Sequence, residues 1–583
     1  MSTPDWIVLI ITLLAIVAYG LYKSRTSKNM EGYFLNNRNT TWYMVLLGIM
    51  GTQASAITFL SAPGQAFTDG MRFVQYYFGL PIAMVILCIT FVPIFSKLKV
   101  FTAYEYLEQR FDIKTRTLTS ALFLLSRGLS TGISIYAPSI ILSSLLGWDI
   151  YWVNIIMGGL LIIYTVTGGA KAVAHTQQLQ FIIVFCGMFA AAYFIMHQLP
   201  ANVGLGDALK VSGAAGKLNV ITTGISAKGF DWKDRYNILS GLIGGLFLAL
   251  SYFGTDQSQV GRYITAKSLT GSRLGLLMNG LVKVPMQFLI LLVGAMLFTF
   301  YQFKSSPIFF NPSVPAKVFN GQYGDSLKAV DVAFKQTNAK QAVFAADYIQ
   351  ANNTNNTTAI GLYKDSIKAT GLQIEGYRKQ YKALLTKADA SVDTNDTNYI
   401  FLRFVIDNLP RGLVGLLIAI IFLASWGSIA AALNSLASCT MIDFYCRFKK
   451  KRMEEPTHKE EVKQYRMSKW FTFGWGVFCI IMAQFSNRLG SLIEAVNVLG
   501  SLFYGVMLGI FLVAFYMKHI AGHAIFWAAV TGELIVVALF FLDKFGIIGL
   551  GFLWFNLAGA VAVVVLSAIF QVFTKQPAKV VQC

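Results

Sequence analysis

"LLGIMGTQASAITFLSAPGQAF", Leu46–Phe67, is the stretch on which the fold turns. It is long and apolar enough to cross a bilayer, whose hydrocarbon core takes about 20 such residues. Yet its middle carries Gly51, Thr52, Gln53, Ser55 and Thr58, and Pro63-Gly64 stands near its end. Small and hydroxyl residues let membrane helices pack closely. They also suit an interruption, because freed backbone groups at membrane depth persist only against protein or a cavity. Mid-membrane interruptions are where secondary transporters bind solute and ion.

The rest of the chain has the same character. Its 583 residues are 55% hydrophobic and 13% charged, against about 25% charged in soluble domains. Mean hydropathy is +0.57. Thirteen apolar runs are expected to be spans. The first lies near 5–23 and is retained, since it lacks a basic lead-in and a small-residue cleavage site. Twelve core helices follow near 42–63, 74–96, 118–145, 150–168, 177–197, 236–262, 275–302, 404–440, 467–487, 490–517, 522–541 and 548–573. The expected fold class is an all-α polytopic membrane protein of about thirteen transmembrane helices. Four regions are expected: 1–302, the first span and core helices 1 to 7; 303–403, a polar insert; 404–573, core helices 8 to 12; and 574–583, a tail.

The net charge of +20 sits in the loops, which argues for membrane topology and against a nucleic-acid partner. Lys23, Arg25, Lys28 and Arg38 follow the first span. Lys97, Lys99, Arg110, Lys114 and Arg116 follow core helix 2. Arg447 and Lys449–Arg452 follow core helix 8. Thirteen spans put these on one side, the cytoplasm, with the N-terminus outside and the C-terminus inside. The insert 303–403 is then extracellular or periplasmic and reads as helical over 326–350 and 360–388, with "NNTNNTT" between. Its sequons matter only in a glycosylating host. The six cysteines, Cys88, Cys186, Cys439, Cys446, Cys479 and Cys583, show no metal spacing and no disulfide framework.

A second interruption is expected in core helix 6, "GGLFLALSYFGTDQSQVGRYI", at Gly254, Thr255, Asp256 and Gln257. Core helices 1 and 6 open successive groups of five. A matched pair of breaks suits a five-plus-five inverted repeat.

Six stretches carry a family resemblance: "SAITFLSAPGQAF" (55–67), "KVFTAYEYLEQRFD" (99–112), "YTVTGGAKAV" (164–173), "FGTDQSQVGRYITA" (253–266), "LPRGLVGLLIAIIFLAS" (409–425) and "LNSLASCTMIDFY" (433–445). In order and spacing the chain resembles the sodium/solute symporter family over most of 5–517, outside the insert. The resemblance implies a LeuT-type inverted-repeat core and solute uptake driven by sodium through alternating access. Na+ is then the coupling ion, and no other cofactor is expected. The implied partners are a small solute, Na+ and the bilayer, with the chain working as a monomer in the cell membrane.

The resemblance also implies an ion site. Its backbone ligands fall on Gly51, Ala54 and Ala424, and its paired hydroxyls on Gly427 and Ser428. Only Ser428 supplies one. Ser425 is about 200° around the helix and cannot substitute. A second sodium site known in some members needs an Asp where Gln177 stands, and hydroxyls where Ala430 and Ala431 stand. At most one coupled sodium is expected. His175 titrates near neutral pH and is read as structural.

For the solute, the candidates are Gln53, Ser55 and Thr58 at the first break and Phe73 and Tyr77 of core helix 2. Tyr252 stands where sugar-carrying members place an aromatic gate, and Lys283 lies inside core helix 7. Charges within spans are costly and point to function. Ser130 matches the place where a sialic-acid-type member holds an arginine, and Arg127 lies one turn away. Thr58 and Ala249 depart from the sugar-binding pattern. Glu494 is expected to reach solvent, Glu533 is read as structural, and Trp426 has no assigned role. The leading expectation is sodium-coupled symport of a sugar, sugar acid or carboxylate. A proton-coupled or sodium-independent carrier, or a solute sensor, is the alternative. No nucleophile–base set suggests an enzyme.

Overall fold

A computed structural model describes residues 1–24, 30–227, 229–312, 316–390, 392–448, 458–486 and 491–574. Side chains are described at all of these except 17, 20, 21, 23, 24, 168–175, 178, 316, 317 and 458. His175, Lys23, Arg25, Lys28, Lys449–Arg452 and Cys583 therefore fall outside what is described. The other five cysteines are free thiols.

Among the described residues, nine helices are long and apolar enough to cross a membrane, or ten counting one bent pair. That pair is core helix 1. Trp42–Gln53 and Ala56–Asp69 meet at a 60° bend. Core helix 6 is also broken: Gly245–Thr255 ends at Asp256, whose extended backbone opens Gln257–Tyr263. Core helices 2, 3, 7 and 8 are Met71–Leu98, Ile113–Leu146, Leu269–Phe303 and Leu413–Phe448. The apolar parts of core helices 4 and 5 are Ile150–Thr167 and Leu179–His197. The Tyr164 and Thr176 hydroxyls meet at 2.6 Å. Twelve residues of straight helix span about 18 Å, so the two parts fold back on each other. Core helices 10, 11 and 12 are Leu492–Tyr516, Gly522–Lys544 and Leu553–Phe573. Thr3–Ser24 and His458–Gln484 occupy the places of the first span and core helix 9.

Small residues set the closest approaches. Gly294 of core helix 7 lies under the Pro63 carbonyl, and Gly415 of core helix 8 under that of Asp5. No Cβ fits at either place. The Asp5 carboxylate accepts from the backbone N–H groups of Gly412 and Gly415, which docks the first span on the start of core helix 8.

The basic segments meet at one end. Arg38 donates to the carbonyls of Lys99 and Val100. Arg116 pairs with Glu108 at 2.8 Å and Asp443 at 2.6 Å, and Arg447 pairs with Glu108 at 2.7 Å. A π-helical turn, Thr440–Tyr445, aims Asp443 inward, where Thr102 and Ser120 also donate to it. The matching stretches at 99–112 and 433–445 thus form one ion-paired cluster.

The insert lies at the other end. Its helices, Gly324–Asn353 and Thr357–Ala388, form a hairpin around Leu327, Val330, Phe334, Tyr381 and Leu385. Arg378 sits over Phe310, Phe334 and Phe67, which joins the hairpin to core helix 1. Ser61 donates to Asn398 at 2.7 Å, and the Thr397 carbonyl rests on Gly64. Lys217, in the loop before core helix 6, is pushed down by burial to about 8.

Asp443 is fully buried, so removing its cation leaves an uncompensated charge. Arg116→Met is expected to cost about 3–5 kcal/mol. It should lower the thermal midpoint of the purified protein, and adding Asp443→Leu should recover most of that loss. An unchanged midpoint in the single variant contradicts the assignment.

Candidate functional site

A cavity of about 140 Å³ opens between the two breaks. Core helix 1 contributes Thr52, Gln53, Ser55, Ile57 and Thr58; core helix 2 contributes Tyr76, Tyr77 and Leu80. Arg127, Thr131 and Ser134 come from core helix 3, Tyr252 and Phe253 from core helix 6, and Lys283 from core helix 7. Core helix 8 adds Ser428, and core helix 10 adds Asn497 and Tyr504.

The break in core helix 1 is stabilised by its own side chains. Thr58 donates to the Gln53 carbonyl at 3.2 Å and Thr52 to that of Gly48 at 2.7 Å. The Gln53 amide donates to Asn279 on core helix 7 at 3.2 Å. At the other break, Asp256 caps Ser258, accepting from its N–H at 2.8 Å and its hydroxyl at 2.6 Å. Tyr504 donates to the same carboxylate at 3.0 Å, and Arg127 lies 3.8 Å away. Tyr104 donates to the freed Thr255 carbonyl at 2.7 Å.

Six sequence-expected solute residues line the cavity: Gln53, Ser55, Thr58, Tyr77, Tyr252 and Lys283. Phe73 does not. It is fully buried, stacked on Tyr76 and edge-on to Tyr236. Ser130 does not either; its hydroxyl donates to the Arg127 carbonyl, and Arg127 faces the cavity instead. Helix rotation, which spacing alone does not fix, decides both. Lys283 is 1% exposed. Among the described residues it has no carboxylate partner; its ammonium lies 5.5 Å from the Tyr77 ring centroid. Arg127 is over the Tyr252 ring at 5.9 Å, and Tyr252 accepts from Gln259 at 2.7 Å.

Of the ion-site positions, Ser428 borders the cavity, its hydroxyl donating to the Ser425 carbonyl at 3.0 Å. Gly51, Ala54 and Ala424 lie outside the lining. Gln177 fills the space between two glycines. A Cβ on Gly51 would sit 3.1 Å from the Gln177 Cβ, and one on Gly427 3.0 Å from its Cγ. The Gln177 amide donates to the Gly427 carbonyl at 3.0 Å. Ala430 and Ala431 pack with Tyr164 in a small apolar cluster, beside Trp426. Gln177, Ala430 and Ala431, the positions of the expected second ion site, are packed against their neighbours, and the Gln177 amide oxygen has no hydrogen-bond partner among the described residues.

Glu494, expected to reach solvent, is 20% exposed and also joins three elements. It accepts from Tyr236 at 3.0 Å and Gln65 at 3.4 Å and pairs with Arg235 at 2.8 Å. Asn497 and Tyr504 had no sequence signal beyond a polar residue in an apolar run, whereas Asp256 stood in the expected break.

A family model described as the sodium:solute symporter family matches residues 33–326 and 372–532. The chain belongs to the sodium:solute symporter family. It is 25% identical over 563 residues to the sodium/sialic acid symporter SiaT of Proteus mirabilis, covering 96% of this chain and 92% of that protein. It is 31% identical over 281 residues to the human sodium-coupled monocarboxylate transporter 1, covering 47% of this chain and 44% of that one. A solved substrate-bound outward-open Na+-coupled sialic acid symporter shares the fold. The TM-score is 0.73, with 22% identity over 99% of both chains.

The Gly427–Gln177 unit is testable. A Cβ at Gly427 would lie 3.0 Å from Gln177 Cγ, which cannot swing aside as the nearer Gln180 Oε1 can. Gly427→Ser should therefore lower the thermal midpoint, and Gln177→Ala in the same chain should restore it. If Gly427→Ser leaves the midpoint unchanged, this packing is wrong.

Proposed function

We propose that this chain is a secondary active transporter that couples inward movement of one Na+ to uptake of a small polar organic solute. Alternating access proceeds around the two broken helices of a thirteen-span, five-plus-five inverted-repeat core. The observation that carries the reading is the meeting, in one cavity, of the core helix 1 break and Ser428. Na+ is a hard cation and takes oxygen ligands. Carbonyls at Gly51, Ala54 and Ala424 with the Ser428 hydroxyl are the proposed set.

The solute is a sugar, sugar acid or carboxylate, and the acidic classes are favoured. Lys283 is a buried cation facing the cavity without a carboxylate partner among the described residues, and a solute anion would compensate it. Gln53, Ser55, Thr58 and Tyr77 supply polar contacts, and Tyr252 and Arg127 form the inner wall. The sodium/sialic acid and monocarboxylate relatives support the same class. The basic end is cytoplasmic by its Lys and Arg content, with the N-terminus and the insert outside. A sodium-independent or proton-coupled carrier is the second reading. It is favoured by Gly427, which supplies no hydroxyl where the resemblance places one of the ion's pair, and by Gln177, an uncharged amide that donates to the Gly427 carbonyl.

Uptake into proteoliposomes, screened over sugars, sugar acids and monocarboxylates with and without a sodium gradient, tests both readings. Sodium-dependent uptake with a reversal potential giving one Na+ per solute is expected. Uptake indifferent to sodium selects the second reading. Ser428→Ala should raise the sodium concentration for half-maximal uptake at least about tenfold, about 1.4 kcal/mol. Lys283→Met should abolish uptake of acids while thermal stability is kept.

A further inference from the structure

A second, smaller pocket, of about 20 Å³, lies at the core helix 6 break. Its walls include Gln257, Ser258 and Arg262 of Gln257–Tyr263, and Asn434, Ser435 and Ser438 of core helix 8. Asn434 is 5% exposed, and among the described residues neither atom of its amide has a hydrogen-bond partner. Arg262 forms no ion pair among the described residues, and the charge that acts on it is a second cation, Arg127. The Arg262 stem lies against core helix 1, where a Cβ on Gly48 would be 3.6 Å from its Cδ.

These observations point the same way. A buried amide with no partner calls for a water or an ion. Arg262 is half-buried and lines this pocket, and a cation with no ion pair among the described residues attracts a counter-charge there. Water would satisfy Asn434 but would not use that attraction. Most of the available groups are donors, a guanidinium with five N–H groups, an amide with two, and two serine hydroxyls that can rotate, beside one acceptor, the Asn434 amide oxygen. The Ser435 and Ser438 hydroxyls now donate to helix carbonyls, each at 2.9 Å. A pocket of this size takes one small ion.

We propose that this pocket is an anion site, in which Arg262 is the counter-charge and the Asn434 amide a second donor for a halide or a small carboxylate. The anion has two possible sources, the surrounding solution and the acidic end of a solute leaving the cavity. The site stands whatever the solute is and whether or not Na+ is coupled.

The test uses the full chain purified in detergent. Thermal midpoints are followed over rising sodium bromide or sodium acetate at constant sodium. Sodium gluconate, too large for the pocket, makes up the balance. Crystals grown in bromide are examined for an anomalous peak. A saturable rise in midpoint is expected, lost in Arg262→Gln and in Asn434→Leu, with bromide density beside Arg262. A rise with acetate as well assigns carboxylates to the site; a rise with bromide alone assigns halides. Should Arg262→Gln fail to fold, Asn434→Leu decides. No saturable rise and no peak in the unaltered chain, or an equal rise in Asn434→Leu, overturns the proposal.

Discussion

Backbone freed inside a membrane must find partners, and the two breaks in this chain depend on that constraint. In hydrocarbon each unpaired peptide group costs several kcal/mol. Thr58 and Thr52 hold carbonyls of core helix 1. Asp256 replaces a missing helical turn in core helix 6 by capping Ser258, and Tyr104 takes the Thr255 carbonyl. Tyr504 and Arg127 then compensate the buried Asp256 carboxylate. The cavity is the space these repairs leave open, so its walls and the supports of the broken helices are largely the same residues.

Much of this was legible in the sequence because the physical penalties are large. Apolar runs marked the spans. Clustered small and hydroxyl residues marked both breaks, and Lys283 stood out because a charge in a span is costly. What was not legible depends on rotation and on contacts far apart in sequence. Phe73 and Tyr77 are four residues apart on adjoining turns, yet only Tyr77 reaches the cavity. Arg127 was visible as a charge, but its partner Asp256 is on another helix. Glu494 does reach solvent in part, but its partners Tyr236 and Gln65 come from distant segments and were not legible.

Gln177, Gly51 and Gly427 show how a sequence departure acquires meaning in three dimensions. Taken one at a time, Gln177 and Gly427 read as departures from the ion site that the resemblance implies. Together they are one packed unit: a long amide lies between two glycines and pairs with the Gly427 carbonyl. Next to it, Ala430 and Ala431 close against Tyr164. The volume given up at one position is taken up at another, so interior density is kept.

The contact between the insert and the outer half of core helix 1 separates neighbouring turns of one helix. At Gly64 any side chain would strike the Thr397 carbonyl, and Ser61 is held by Asn398. One to two turns earlier, Ser55 and Thr58 face the cavity. Positions 61 and 64 are thus free to vary only in step with the 397–398 turn, whereas 55 and 58 answer to whatever occupies the cavity. Along a single helix, two constraints run side by side, one set by the insert's architecture and the other by the chemistry of the cavity.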